Sequence, residues 1–195
     1  MIEAFLASTA VVALAEIGDK TMLLAIVLAA RLRAPWQILA GILVATLANH
    51  ALAALLGSQV AGLVDAPWFR IAVALGFIAM AAWTLVPDKF DDDDDSFAHR
   101  GGAFLTTLVA FFLVEMGDKT KVATVALGAQ YQSVFVVAAG TTLGMMLANT
   151  PAVFLGEELV KRISLKTTRT VAALLFLLLG LWQLAAALGW LGFPN

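Results

Sequence analysis

The chain has 195 residues, 62% of them hydrophobic and 13% charged, with a formal net charge of −2. Soluble domains are about 45–50% apolar and about 25% charged, so this composition excludes a soluble domain and indicates an integral membrane protein. Cysteine is absent and only His50 and His99 offer imidazole, which removes disulfides and thiolate sites and nearly excludes zinc or copper chemistry.

A bilayer-crossing helix needs about 20 apolar residues. Six stretches qualify: 4–30, 36–64, 69–86, 102–129, 133–156 and 170–191. No basic residue precedes the first of them in Met1-Ile2-Glu3, so it reads as a retained helix rather than a signal peptide. The first, second and fourth approach 30 residues. Such lengths predict tilt, or breaks near Gly18 and Gly117 of the kind at which transporters bind substrate. Pro151 predicts a kink in the fifth. Asp88–Arg100, with its run Asp91-Asp92-Asp93-Asp94-Asp95, reads as a solvated acidic tether.

The second half repeats the first at an offset of 99 residues. Phe5-Leu6 recurs as Phe104-Leu105, Gly41 as Gly140, Gly57 as Gly156, Arg70 as Arg169, Phe77 as Phe176 and Trp83 as Trp182. Ala48-Asn49 recurs as Ala148-Asn149 after a slip of one. Each copy holds three spans, an odd number, so the second enters the membrane from the opposite side. The fold class expected is therefore all-α integral membrane, six transmembrane helices as two inverted-topology three-helix repeats. The first repeat covers 1–86, an acidic linker 87–100 and the second repeat 101–195. Binding is expected at the repeat interface near the midplane. Arg31, Arg33, Lys89, Arg100, Lys161, Arg162, Lys166 and Arg169 fall on one side and Arg70 alone on the other. The positive-inside rule makes the rich side cytoplasmic. Both termini are then outside and the linker lies in the cytoplasm.

The feature most telling of function occurs once in each half. Glu16-Ile17-Gly18-Asp19-Lys20-Thr21 and Glu115-Met116-Gly117-Asp118-Lys119-Thr120 each sit inside an apolar stretch. Charges at bilayer depth cost roughly 2.5–3.5 kcal/mol each on insertion scales, so a chain carrying them twice is handling ions. On a continuous helix Glu16 and Asp19 share a face, and Lys20 can pair with Glu16. Glu115, Asp118 and Lys119 repeat the arrangement. If the inverted units face each other, four carboxylates converge. Carboxylate oxygen suits calcium, magnesium and manganese, and Asn49, Asn149, the threonines and freed backbone carbonyls can fill remaining positions. Four carboxylates and two lysines leave −2 in the site, which one divalent cation or two protons would neutralise. Competition between metal and protons for one site is a physical basis for exchange.

The competing structural reading makes Glu16–Lys20 and Glu115–Lys119 ion pairs within a bundle. It leaves Asp19 and Asp118 unexplained, and stability alone rarely requires such pairs. His50 reads as a hydrogen-bonded helix contact and His99 as a loop residue. Asn49 and Asn149 read either as bonds across helices or as ligation or gating groups. The Trp and Phe residues read as packing and interfacial anchors.

Two copies of E-x-G-D-K-[ST], six spans and an acidic central loop resemble the cation/proton exchangers that export manganese in bacteria. Relatives serve the Golgi and chloroplast envelope as manganese and calcium transporters. The resemblance spans nearly the whole chain. It implies Glu16, Asp19, Glu115 and Asp118 as cation ligands, with Lys20, Thr21, Lys119 and Thr120 as charge-balancing or gating groups. It also implies a bacterial inner-membrane location. Many relatives have Gln after the motif, where this chain has Met22 and Lys121. At about 100° per residue Lys121 lies beside the acidic face, and an inward Lys121 would leave the site nearer −1.

The function expected is secondary transport of a divalent cation, manganese before calcium, against protons. The alternative is export of a small cationic solute such as a basic amino acid, for which Tyr131 is the single tyrosine available. An intramembrane hydrolase lacks its nucleophile: there is no Cys, no H-E-x-x-H and no Ser in either motif. A pure scaffold would tolerate Glu16→Gln and Asp118→Asn. The partners expected are the lipid bilayer, divalent cations and protons, with no nucleic acid and no cofactor beyond the transported ion.

Overall fold

The computed structural model describes residues 1–60, 66–86, 102–116, 118–156 and 165–189. Eight helices form among them. In the first half these are α1 (Ile2–Glu16), α2 (Lys20–Leu32), α3 (Pro35–Gln59) and α4 (Pro67–Thr84). In the second they are α5 (Gly102–Met116), α6 (Lys119–Tyr131), α7 (Val134–Leu155) and α8 (Leu165–Ala187). The acidic linker 88–100, Gly117, the loop carrying Lys161 and Arg162, and His99 lie outside the described residues.

Prolines open α3 and α4 at their first helical residue, where a missing N–H removes no intrahelical bond. The two expected long spans at 4–30 and 102–129 are each two helices meeting at the motif. Ile17 is extended, Gly18 takes φ +84° and Asp19 is extended as the N-cap of α2. Asp118 is likewise the extended N-cap of α6. The two second helices also end alike, at Arg33 (φ 48°) and Gln132 (φ 50°). The bounds of α2, moved by 99 residues, are those of α6. Pro151 lies inside α7, which runs through it to Leu155.

The α3 helix (mean hydropathy 2.0), α7 (1.3) and Thr170–Ala187 of α8 (2.1) are long and apolar enough to cross a membrane. Trp68–Thr84 and Gly102–Met116 are shorter apolar helices. Polarity runs inside out. Glu16, Glu115 and His50 are fully buried, while Leu47, Leu52, Leu56, Leu178 and Trp182 are exposed. A soluble protein would bury the leucines; lipid reverses the preference.

Helix packing places the site. Pairs α1/α7 and α3/α5 are the equivalent contacts of the two halves, as are α2/α7 and α3/α6, and α1/α6 and α2/α5. The α3/α7 and α4/α8 contacts map onto themselves. Glycine lets the first set approach closely. A Cβ on Gly41 would stand 2.8 Å from the Phe104 carbonyl oxygen, and one on Gly140 would stand 2.7 Å from that of Phe5. Phe77 of α4 stacks on Phe176 of α8, ring centroids 6.3 Å apart. These rings pack with Met80, Ala81 and Ala123, and against Val11, Ala15 and Ala126. The four half-helices are thus held tip to tip between α3 and α7.

Candidate cation-binding site

The breaks in the two motif helices aim backbone at a common point. The α1 helix ends on Glu16 and α2 begins after Asp19; α5 ends just past Glu115 and α6 begins after Asp118. The N-termini of α2 and α6 carry partial positive charge and favour the acidic residues beside them. At each turn the Asp amide bonds the Glu carbonyl, Asp19 to Glu16 and Asp118 to Glu115, at 3.1 Å. The break also changes the expected register. Glu16 and Asp19 are not on one helical face; they flank a turn.

Glu16, Asp19 and Asp118 each offer a carboxylate oxygen, and these oxygens lie within 4.8 Å of one another. All three residues are buried. Thr21 donates its hydroxyl to Glu16 Oε2, and Thr120 donates its hydroxyl to Asp118 Oδ2 at 2.5 Å. Glu16 Oε1 and Asp118 Oδ1 have no hydrogen-bond donor. In Glu16 and Asp118, therefore, one oxygen is fixed by a threonine of the motif and the other is left with open lone pairs. That is the donor set of a hard-cation site.

Glu115 stands beside this triad rather than in it. Lys121 Nζ donates to its Oε2 at 2.9 Å, and Thr46 Oγ1 donates to its Oε1 at 2.6 Å. His50 Nε2 lies 3.8 Å from the same Oε2. Among the described residues, the ammonium that meets a motif glutamate is that of Lys121 on Glu115. Glu16 is thus not paired with Lys20, which begins a new helix. Lys121 turns inward, its side chain 15% exposed. Asn49 donates to the Phe112 carbonyl at 3.0 Å, tying α3 to α5. Asn149 donates to Met145 O at 3.0 Å and leaves its Oδ1 without a partner.

Thr46 carries no motif of its own, and the expectation of a hydrogen-bonded His50 is not met, since neither ring nitrogen has a hydrogen-bond partner. The signal was present. Thr46, Asn49 and His50 form a stripe at i, i+3 and i+4 on an apolar helix, which places them on one face.

The divalent cation/proton antiporter GDT1 family matches residues 4–92 and again 103–190. The chain belongs to that family. It is a membrane transporter, and the two matched stretches fall one in each half. A Vibrio cholerae protein named "Putative manganese exporter" is 49% identical over 175 residues, 89% of this chain and 86% of its own length. "GDT1-like protein sll0615" of Synechocystis is 29% identical over 91% of this chain and 95% of its own. "GDT1-like protein 5" of Arabidopsis thaliana is 28% identical over 94% and 96%. No solved structure matches the chain. A family of divalent-cation antiporters lends no support to the alternative of a small organic cation.

Proposed function

We propose that this chain exchanges a divalent cation, manganese foremost and calcium within reach of the same chemistry, for protons across the bacterial inner membrane. Glu16, Asp19 and Asp118 hold the ion, and Glu115 lies alongside as the fourth acidic group. The observation that carries the reading is the buried triad of convergent oxygens, two of its members having a carboxylate oxygen with no donor. A buried carboxylate without a counter-charge is costly. A site that must be neutralised by either one metal ion or protons turns that cost into coupling: loading one expels the other.

The chain forms six spans, two of them broken, as two inverted three-helix units with both termini outside. Support comes from the 99-residue offset shared by helix bounds and caps, and from helix contacts that interchange between halves. The Lys/Arg asymmetry supports the orientation. Lys20, Thr21, Lys119, Thr120, Asn49, Asn149 and Lys121 serve the ion indirectly. Thr21 and Thr120 orient ligands, Asn49 ties α3 to α5, and Lys121 offsets Glu115.

The test is flux in proteoliposomes. Native protein is expected to move manganese only when protons move oppositely, with calcium slower and magnesium slower still. Glu16→Gln is expected to abolish both fluxes. Manganese flux that survives Glu16→Gln, or that runs without proton movement, would overturn the proposal.

A further inference from the structure

The two halves of the site are alike in backbone and unlike in chemistry. Counted at the 99-residue offset that also relates the first residues of α3 and α7, rather than at the one-residue slip that matches Asn49 to Asn149 by identity, Lys121 corresponds to Met22, Thr46 to Met145 and His50 to Asn149. In chemical kind the equivalents are two thioethers and an amide whose Oδ1 is open. Around Glu115 they are an ammonium, a hydroxyl and an imidazole.

We infer that the Glu115 side is a second divalent-metal position, which Lys121 fills with its own ammonium group. The inference rests on the cation site proposed above. Three observations carry it. Lys121 Nζ sits 2.9 Å from Glu115 Oε2, where an external cation would sit. His50 is fully buried, directs Nε2 to within 3.8 Å of that same oxygen, and has no hydrogen bond at either nitrogen. A buried imidazole left without hydrogen bonds is costly. Thr46 fixes the other Glu115 oxygen, so the carboxylate keeps its aim without the lysine. Carboxylate, hydroxyl and neutral imidazole together suit a divalent transition metal better than calcium or magnesium. A lysine ammonium is a compact point charge on a flexible stem, well suited to stand in for that ion. In the native chain it restricts the protein to one exchangeable metal.

The substitution that opens the position is Lys121→Met, because the chain already accommodates Met22, 1% exposed, at the equivalent place. Purified full-length protein in detergent is titrated with manganese, and bound ions per chain are counted from loss of the free-ion electron paramagnetic resonance signal. The native chain is expected to bind one manganese and Lys121→Met two. Lys121→Met with Glu115→Gln should return to one. The second ion should carry nitrogen hyperfine coupling that disappears in Lys121→Met with His50→Ala. Lys121→Gln is the second opening variant, and retention of the first ion reports that either variant is folded. One ion in the native chain and one in both opening variants would overturn this inference while leaving the triad intact. No ion in the native chain would overturn the triad reading itself, and this inference with it.

Discussion

At the scale of single residues, each open carboxylate of the triad divides its labour between two oxygens. Glu16 Oε2 accepts from Thr21, and Oε1 has no donor. Asp118 Oδ2 accepts from Thr120, and Oδ1 has none. Removing charge and removing aim should therefore differ in degree. Glu16→Gln keeps the shape and loses the charge; manganese affinity is expected to fall by more than about 100-fold, since even an outer partner of a metal ligand is worth about 10–100-fold. Thr21→Val keeps the charge and loses the aim, and should fall within that about 10–100-fold range. Equilibrium binding on the purified protein reads both. If the two losses are equal, the hydroxyl is not a positioning group. Thr46→Val is a third case. It leaves a buried Glu115 oxygen without its donor, for a loss of about 1–3 kcal/mol in stability, read as a lowered thermal midpoint in detergent without loss of the triad's ion.

At the scale of elements, the motif's chemistry follows from broken helices. Gly18 holds φ +84°, a left-handed position that costs an ordinary residue roughly 1–2 kcal/mol. Gly18→Ala is expected to lower the thermal midpoint and to weaken manganese binding together, because the turn sets the Glu16–Asp19 spacing. Gly140→Leu should lower the midpoint more, since its side chain would meet the α1 backbone at Phe5. An unchanged midpoint in Gly140→Leu would remove the α1/α7 contact from the account. These elements also mark what the sequence made legible. The apolar helices and the 99-residue echo between the halves were plain, because hydrophobic length and residue identity carry them directly. The break was legible only as a possibility at Gly18. Hydrophobicity runs straight through Ile17 and Met116, so counting residues along a continuous helix put Glu16, Asp19 and Lys20 on one face. That count fails wherever it crosses the turn, hence the absent Glu16–Lys20 pair. It works inside one helix, hence Lys121 beside the acidic residues. The division of four carboxylates into a triad and a Lys121-paired Glu115 was illegible, because it depends on how α3 and its Thr46 and His50 dock against α5.

At the scale of the whole molecule, the near-symmetry of contacts has one departure. The stacked pair α4 and α8 packs against α1 and α6, whereas the equivalent contacts, α4 with α5 and α8 with α2, are not of comparable extent among the described residues. Two equivalent halves would offer two placements for the pair, of which the structure holds one. If the pair rocks from α1 and α6 toward α5 and α2, it changes which end of the half-helices is covered, which is what alternating access around a fixed midplane site requires. The absence of cysteine allows clean labelling. Spin labels at Arg31, in the last turn of α2, and Lys166, in the first turn of α8, report one end; both positions are exposed. Labels at the exposed Glu3 and Leu188 report the other. Pulsed dipolar distances, compared between manganese-loaded protein and protein at low pH without metal, should change with opposite sign at the two ends, shortening for Arg31–Lys166 as Glu3–Leu188 lengthens. Changes of the same sign would mean swelling of the whole bundle rather than rocking. No change at either end would mean that the α4/α8 pair is fixed, and the gate would have to be sought in the half-helices themselves, whose tips at Asp19 and Asp118 already converge.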